Sequence, residues 1–135
     1  MNVKYQYGTE GIEAGMLVGF FEGWPSGPSP EVHLRLLIGS THVFLCIDDG
    51  KVVGFVTAIA DGVLSAFIPL LEVLPEYRGQ GIGNELMRLM HERLRDYYMV
   101  DLMCNPDGQP FYEKCTRMWR AVGMSVRRPG KIPLH

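Results

Sequence analysis

Leu71-Glu72-Val73-Leu74-Pro75-Glu76-Tyr77-Arg78-Gly79-Gln80-Gly81-Ile82-Gly83 joins an apolar strand to an amphipathic helix through a loop rich in glycine. A helix start carries free N–H groups and the positive end of the helix dipole, which together suit an anion. Glycines let the backbone approach that anion closely. Arg78 adds a planar cation that can fork onto a phosphate. The stretch therefore predicts a phosphate or pyrophosphate site, with a plain strand-ending turn as the bland alternative. A P-loop needs Gly-Lys-Ser or Gly-Lys-Thr, and here Asn84 follows Gly83. A dinucleotide fold is the sharper rival, because Gly79, Gly81 and Asp101 mimic its glycine–acid spacing. It fails at Asn84, which sits where its third glycine belongs, and at Pro75 to Arg78, which separate strand from glycines.

Outward from the loop, Ile82 to Arg95 reads as a helix with a stripe of Ile82, Leu86, Leu89, Met90 and Leu94. Met99 to Cys104 reads as a strand, parallel to the one before if that helix is a crossover. Asn105-Pro106-Asp107-Gly108 is a turn, and Gln109 to Cys115 a short helix. Upstream, His42 to Ile47, Val52 to Ala60 and Val63 to Val73 form an antiparallel meander with turns at Asp48 to Lys51 and at Asp61-Gly62. The third of these strands is nearly apolar throughout and is expected to be covered on both faces. Pro69 inside it calls for a bulge or local break. Val3 to Tyr7 reads as a short first strand, and Ile12 to Phe21 as a weak helix interrupted by Gly15 and Gly19. A Gly/Pro-rich loop, Gly23 to Pro30, leads into a helix near Glu31 to Ile38, with Ser29 as cap and Pro30 at the first position. The tail from Met118 to Arg128 is expected to return as one or two strands. The whole, 1–135, reads as one mixed α/β domain with 126–135 as a loose tail.

Composition narrows the classes. With 13 Lys and Arg against 15 Asp and Glu, the net charge of -2 gives no basic face for bulk nucleic-acid binding. Nothing approaches the roughly 20 apolar residues of a membrane span. The longest apolar-rich run, Val63 to Leu74, is interrupted by Ser65, Pro69 and Glu72. The three cysteines, Cys46, Cys104 and Cys115, lack metal-like spacing and read as reduced thiols of a cytoplasmic protein. His33, His42, His91 and His135 share no zinc-like spacing, so no metal is expected.

Arg78-x-x-Gly81-x-Gly83 after Leu71-x-Val73-x-Pro75 resembles the acetyl-CoA signature of the GNAT N-acetyltransferase superfamily. The following helix, the strand Met99 to Cys104 and Phe111-Tyr112-Glu113-Lys114 come in that family's order, so Val43 to Met118 fits as a whole. The family usually continues its last helix into a Leu-Gly-Phe ending, whereas this chain reads Cys115-Thr116-Arg117-Met118. The resemblance implies a mixed sheet, with the antiparallel N-terminal meander splayed from a parallel pair and helices on both faces. It implies that acetyl-CoA is the cosubstrate and an amine the acceptor. Arg78, Gly79, Gln80, Gly81, Ile82 and Gly83 would cradle the pyrophosphate, and Leu71 and Val73 would bind the pantetheine arm through main-chain groups. Asn105 would hydrogen-bond the same arm, and Tyr112 would give a proton to the leaving thiolate. Homodimer formation stays open under this resemblance, and so does a non-catalytic acyl-CoA-binding module that regulates a partner.

Reaction logic adds further candidates. An amine with a pKa near about 10.4 must lose protons before and during attack. Glu72 is the nearest acid to the presumed reaction centre and reads as the base, or else as a strand carboxylate turned to solvent or paired with an arginine. Glu22 and Asp61 are weaker alternatives. The Gly23 to Pro30 loop is where acceptor contacts belong, with Glu22 and Trp24 bordering the entrance, or with Trp24 as a structural anchor. His33 and His91 read as surface groups, and Cys104 as inert packing at a strand end.

Overall fold

Apolar side chains at period two set the sheet, and runs at period 3.6 set the helices that cover it. The computed structural model describes residues 2–135. Strands β1 (Val3–Tyr7), β2 (His42–Asp48), β3 (Lys51–Ala60) and β4 (Ser65–Val73) pair in sequence as an antiparallel meander. Strand β5 (Met99–Leu102) then adds in parallel to β4, giving the order β1-β2-β3-β4-β5. Helix α2 (Ile82–Arg93) is the right-length crossover between the parallel pair, and it is followed by the short α3 (Gln109–Thr116). Helix α1 (Pro30–Gly39) lies on the opposite face, so the mixed sheet carries helices on both sides.

Two apolar clusters result. Ile82, Leu86, Met87 and Met90 of α2 are buried against Cys46, Val56, Ala58 and Ile68 of the sheet. Across the sheet, Leu17, Phe21 and Leu37 pack on Leu45, Val52 and Phe55. Each such side chain, fully buried, contributes about 1.5–3 kcal/mol. The α1 start is capped as its sequence asks: Ser29 Oγ accepts from Val32 N at 3.2 Å, with Pro30 at the first position.

Several expectations need correction. The weak helix of Ile12 to Phe21 is only a 3₁₀ turn, Ala14–Leu17, because Gly11 and Gly19 take left-handed dihedrals on either side of it. β4 begins at Ser65, not Val63. The Asp61 carboxylate captures the backbone N–H groups of Val63, Leu64 and Ser65, which bends those residues into a turn and holds its pKa down at about 2. Nor is β4 covered on both faces, since Phe67 and Pro69 are exposed. The break expected at Pro69 is present. Thr57 pairs with Leu70 and Ile59 with Phe67, so Ile68 and Pro69 together face the single Ala58 as a β-bulge. β5 stops at Leu102, two residues short. Met118 to Arg128 carries no strand; it runs past the sheet unpaired, with only a 3₁₀ turn beyond it at Pro129–Lys131. Among the described residues no helix is long and apolar enough to cross a membrane, and no group of three or more His, Cys, Asp or Glu is placed to hold a metal.

Candidate active site

The β4–β5 pairing runs only from Ser65–Met99 to Ile68–Leu102. Beyond Ile68, β4 keeps β3 on one side and has no strand on the other. This half-unpaired stretch, Leu70–Val73, leads through the 3₁₀ turn Pro75–Tyr77 and the glycine loop into α2. A cleft of about 400 Å³ opens there. Leu71, Glu72 and Val73 form one wall, Arg78, Gly79 and Gly81 to Gly83 the floor, and Phe111 of α3 the other side.

Local chemistry explains the loop. Gly81 caps α2 in the left-handed region, at φ 85°, where a side chain would be strained. Its carbonyl accepts from Glu85 N at 3.0 Å, which leaves the N–H groups of Ile82, Gly83 and Asn84 as the unbonded first turn. Arg78 Nε donates to the Val73 carbonyl at 3.0 Å, so the guanidinium is tied to the end of β4 and one main-chain acceptor of Val73 is engaged. Tyr77 O–H donates to Asp48 Oδ2 at 2.7 Å and fastens the loop to the β2–β3 hairpin; this bond is the chief reason its phenol pKa is raised. A Cβ at Gly83 would meet the Phe111 ring at 3.5 Å and the Val73 side chain at 3.8 Å, so Gly83 sits between the two sides of the cleft.

Glu72 is neither turned to solvent nor held mainly by an arginine. Its Oε1 accepts from Phe21 N at 2.8 Å. Burial raises its pKa, and that exceeds the opposing pull of the Phe21 N–H, Arg78 and the Glu22 N–H. Phe21 itself has φ 66°, a conformation uncommon for a bulky residue, and the Glu72 carboxylate holds it there. The Phe21 ring packs on Trp24 at 5.1 Å and on His33 at 4.9 Å. His33 is completely buried, in contrast to the surface role expected of it, with Phe20 and Phe55 on its other sides. Both its ring nitrogens lack partners, and desolvation lowers its pKa to about 4. Glu22 is exposed, and Trp24 is half-exposed beside it.

Tyr112 is half-buried against the α2 cluster, and it is Phe111, not Tyr112, that lines the cleft. Burial first, then the neighbouring Cys104 and Cys115, raise the Tyr112 pKa to about 12. Asn105 and Gln80 are exposed; Asn105 starts the 3₁₀ turn Pro106–Gly108 after β5. Cys104 is exposed beyond the strand end, not packed inside it. His91, expected on the surface, is half-buried with Nε2 unpartnered. The cleft thus brings together Leu71, Glu72, Val73, Arg78, Gly79, Gly81, Ile82 and Gly83, while Gln80, Asn105, Tyr112, Glu22 and Trp24 do not line it. Sequence reasoning did not single out Tyr77, Asn84 or Phe111 as lining residues. In sequence, Phe111 is marked only by its place in Phe111-Tyr112-Glu113-Lys114, which does not say which of the two rings faces the cleft.

Comparison with known proteins agrees with this architecture. The sequence model of the Acetyltransferase (GNAT) family matches residues 10–116. GCN5-related N-acetyltransferase 3, chloroplastic, of Arabidopsis thaliana is 38% identical over 71 residues, which are 50% of this chain and 29% of that protein. The uncharacterized N-acetyltransferase ycf52 of Pyropia yezoensis is 28% identical over 97 residues, 68% of this chain and 56% of that one. This chain therefore spans little more than half, or less, of these curated relatives. A crystal structure from Deinococcus radiodurans, assigned as an acetyltransferase, shares 46% identity over 95% of this chain and 90% of its own, with a TM-score of 0.91. The chain belongs to the GNAT acetyltransferase family.

Proposed function

We propose that the chain moves an acetyl group from acetyl-CoA to the nitrogen of an amine by direct attack on the thioester. The observation that carries this reading is the half-unpaired β4, which runs into a glycine loop and the free first-turn amides of α2 along one cleft. The edge at Leu71 to Val73, free of any strand and engaged only at the Val73 carbonyl by Arg78, suits an extended amide-bearing arm, which adds to it as a strand would. The amides of Ile82, Gly83 and Asn84 suit a pyrophosphate. The amine nitrogen bonds to the acetyl carbonyl carbon, the carbon–sulfur bond breaks, and the amine proton passes to Glu72 or to water. The raised Glu72 pKa makes that carboxylate a better proton acceptor than an ordinary one. Tyr112, kept protonated by burial, returns a proton to the coenzyme sulfur. Asn105 helps hold the arm, and Gln80 flanks the phosphates. Glu22 and Trp24 border the acceptor entrance, where an anion beside an indole suits a cationic amine with an apolar part.

A second reading has a specific observation behind it. Glu72 is engaged in holding Phe21, and Tyr112 does not line the cleft. Both fit a non-catalytic acyl-CoA-binding module whose occupancy regulates a partner. Two measurements separate these readings. Titration with acetyl-CoA, CoA and a nicotinamide dinucleotide is expected to show binding of the first two only. Thiol release over a panel of amines is then expected to give turnover with at least one; binding without turnover across primary, secondary and peptide amines would favour the module.

A further inference from the structure

Helix α1 presents two different sides. His33 and Leu37 are buried against the sheet. Val32, Arg35 and Leu36, spaced by three and four residues, share a neighbouring flank. Residues 119–135 come back to this flank. Among them only Ile132 escapes full exposure, and Arg35 donates to the His135 carbonyl. Between the helix flank and the returning segment lies a groove of about 690 Å³, with Val32, Leu36 and Ile132 in its apolar lining. It shares no residue with the cleft at the glycine loop. Its size is that of a small-molecule site.

Every charged residue of the lining is a cation. Arg35, Arg128 and Lys131 border the groove, and no acid does. The turn Pro129–Lys131 fixes two of them. Lys131 N donates to the Arg128 carbonyl at 2.9 Å, and residues three apart on a 3₁₀ turn stand one above the other. Arg35 joins them from the helix. Among the described residues none of the three is in an ion pair, whereas Arg88, Arg95 and Arg120 each hold a glutamate. The returning segment brings no counter-charge of its own. Residues 117–135 carry five cations and no acid, which leaves eight cations with all 15 acids in residues 1–116. Like charges gathered over an apolar floor repel one another, and an anion relieves that repulsion.

We propose that this groove binds a small organic anion, one carboxylate or phosphate group on an apolar body, at a site separate from the coenzyme cleft. The anionic group lies among Arg35, Arg128 and Lys131, where planar guanidinium groups fork onto two oxygens. The apolar body lies on Val32, Leu36 and Ile132. Pro28, also in the lining, sets the occupant against the Gly23 to Pro30 loop. Both parts of the lining are needed for this recognition. The cations alone would take any anion, and the floor alone any apolar molecule.

Amide chemical shifts of the full chain test this. Phenylpropionate and phenyl phosphate are the probes; phenylpropanol and inorganic phosphate are the neutral and the bare-anion controls. Saturable shifts are expected with both probes at residues 28–36 and 128–133, and the tighter probe names the anionic group. The controls are expected to bind at least roughly tenfold more weakly. Arg35→Gln with Lys131→Gln is expected to weaken probe binding by roughly tenfold or more, as the loss of charge-assisted hydrogen bonds does. Leu36→Glu, which supplies the groove with a carboxylate of its own, is expected to abolish it, with circular dichroism unchanged in both variants. Shifts confined to residues 78–84, a control that binds as tightly as the probes, or probe binding indifferent to both variants overturns the proposal.

Discussion

A histidine whose two ring nitrogens are both buried and unpartnered folds in its neutral form alone, and His33 is such a residue. Its folded pKa of about 4 lies below the unfolded value of 6.5. The unfolded chain therefore binds the proton first, and stability present above pH 6.5 is lost as pH falls toward 4, by up to about 3 kcal/mol. His33→Leu removes that loss; denaturant unfolding at pH 7.5 and 4.5 is expected to show a smaller acid penalty in the variant. Glu72 has two jobs that substitution separates. Gln keeps an acceptor for the Phe21 N–H but no base, so Glu72→Gln is expected to melt near the parent while turnover falls by roughly 10²–10⁴-fold. Glu72→Ala is expected to lower both. At Gly81 a valine meets the left-handed backbone at a cost of about 1–2 kcal/mol and stands at the head of the amides. Calorimetry is expected to find a folded Gly81→Val chain that no longer binds acetyl-CoA. None of this residue detail was legible for His33, because a lone histidine in a short helix gives no sign of three aromatic rings, from Phe20, Phe21 and Phe55, folded over it.

Helices and strands were legible where local chemistry decides alone. Ser29-Pro30 announces the α1 start, and Ser29→Ala is expected to destabilise by about 1 kcal/mol in denaturant titration. Most of the α2 stripe and the bulge at Pro69 are likewise written in spacing and in a missing donor, although Met87, not Leu89, is the fully buried residue of the helix's middle turn. Where two signals compete, the reading slipped. Val63 and Leu64 are strand-like side chains, but the Asp61 carboxylate takes their N–H groups out of any ladder. Ile12 to Phe21 has helical spacing, yet left-handed glycines end it after one turn. The tail has strand spacing, yet it carries no strand, because spacing does not supply a neighbour to pair with. Tyr77 shows the same limit for the site. Its bond to Asp48 joins elements 29 residues apart, which no local pattern signals. Tyr77→Phe is expected to weaken acetyl-CoA binding several-fold with little change in melting temperature, as read by titration and calorimetry.

Across the whole molecule, the best-protected layer is the β2–β3 pair, whose Leu45, Val52, Val53 and Phe55 are fully buried between the two clusters. Hydrogen exchange is expected to be slowest there, and fastest at 117–128, which carries no helix or strand. The mixed sheet and its two helical covers were legible because apolar periodicity and turn chemistry agree over most of the chain. The distribution of charge, -7 over residues 1–116 and +5 over residues 117–135, was hidden by a total of -2. The bulge at Ile68 and Pro69 has a consequence for the site. Before it, even-numbered residues of β4, Ala66 and Ile68, point toward α2; after it, odd-numbered Leu71 and Val73 do, and Leu70 points the other way. One extra residue thus inverts the parity of the strand, and it is this inversion that turns Glu72 toward Phe21. The carboxylate's place in the site is a matter of counting: pair β4 regularly through Pro69, with no bulge, and Glu72 would fall into the apolar cluster under α2 while Leu71 turned out toward Phe21; delete Pro69, and the bulge goes with Glu72 left where it is.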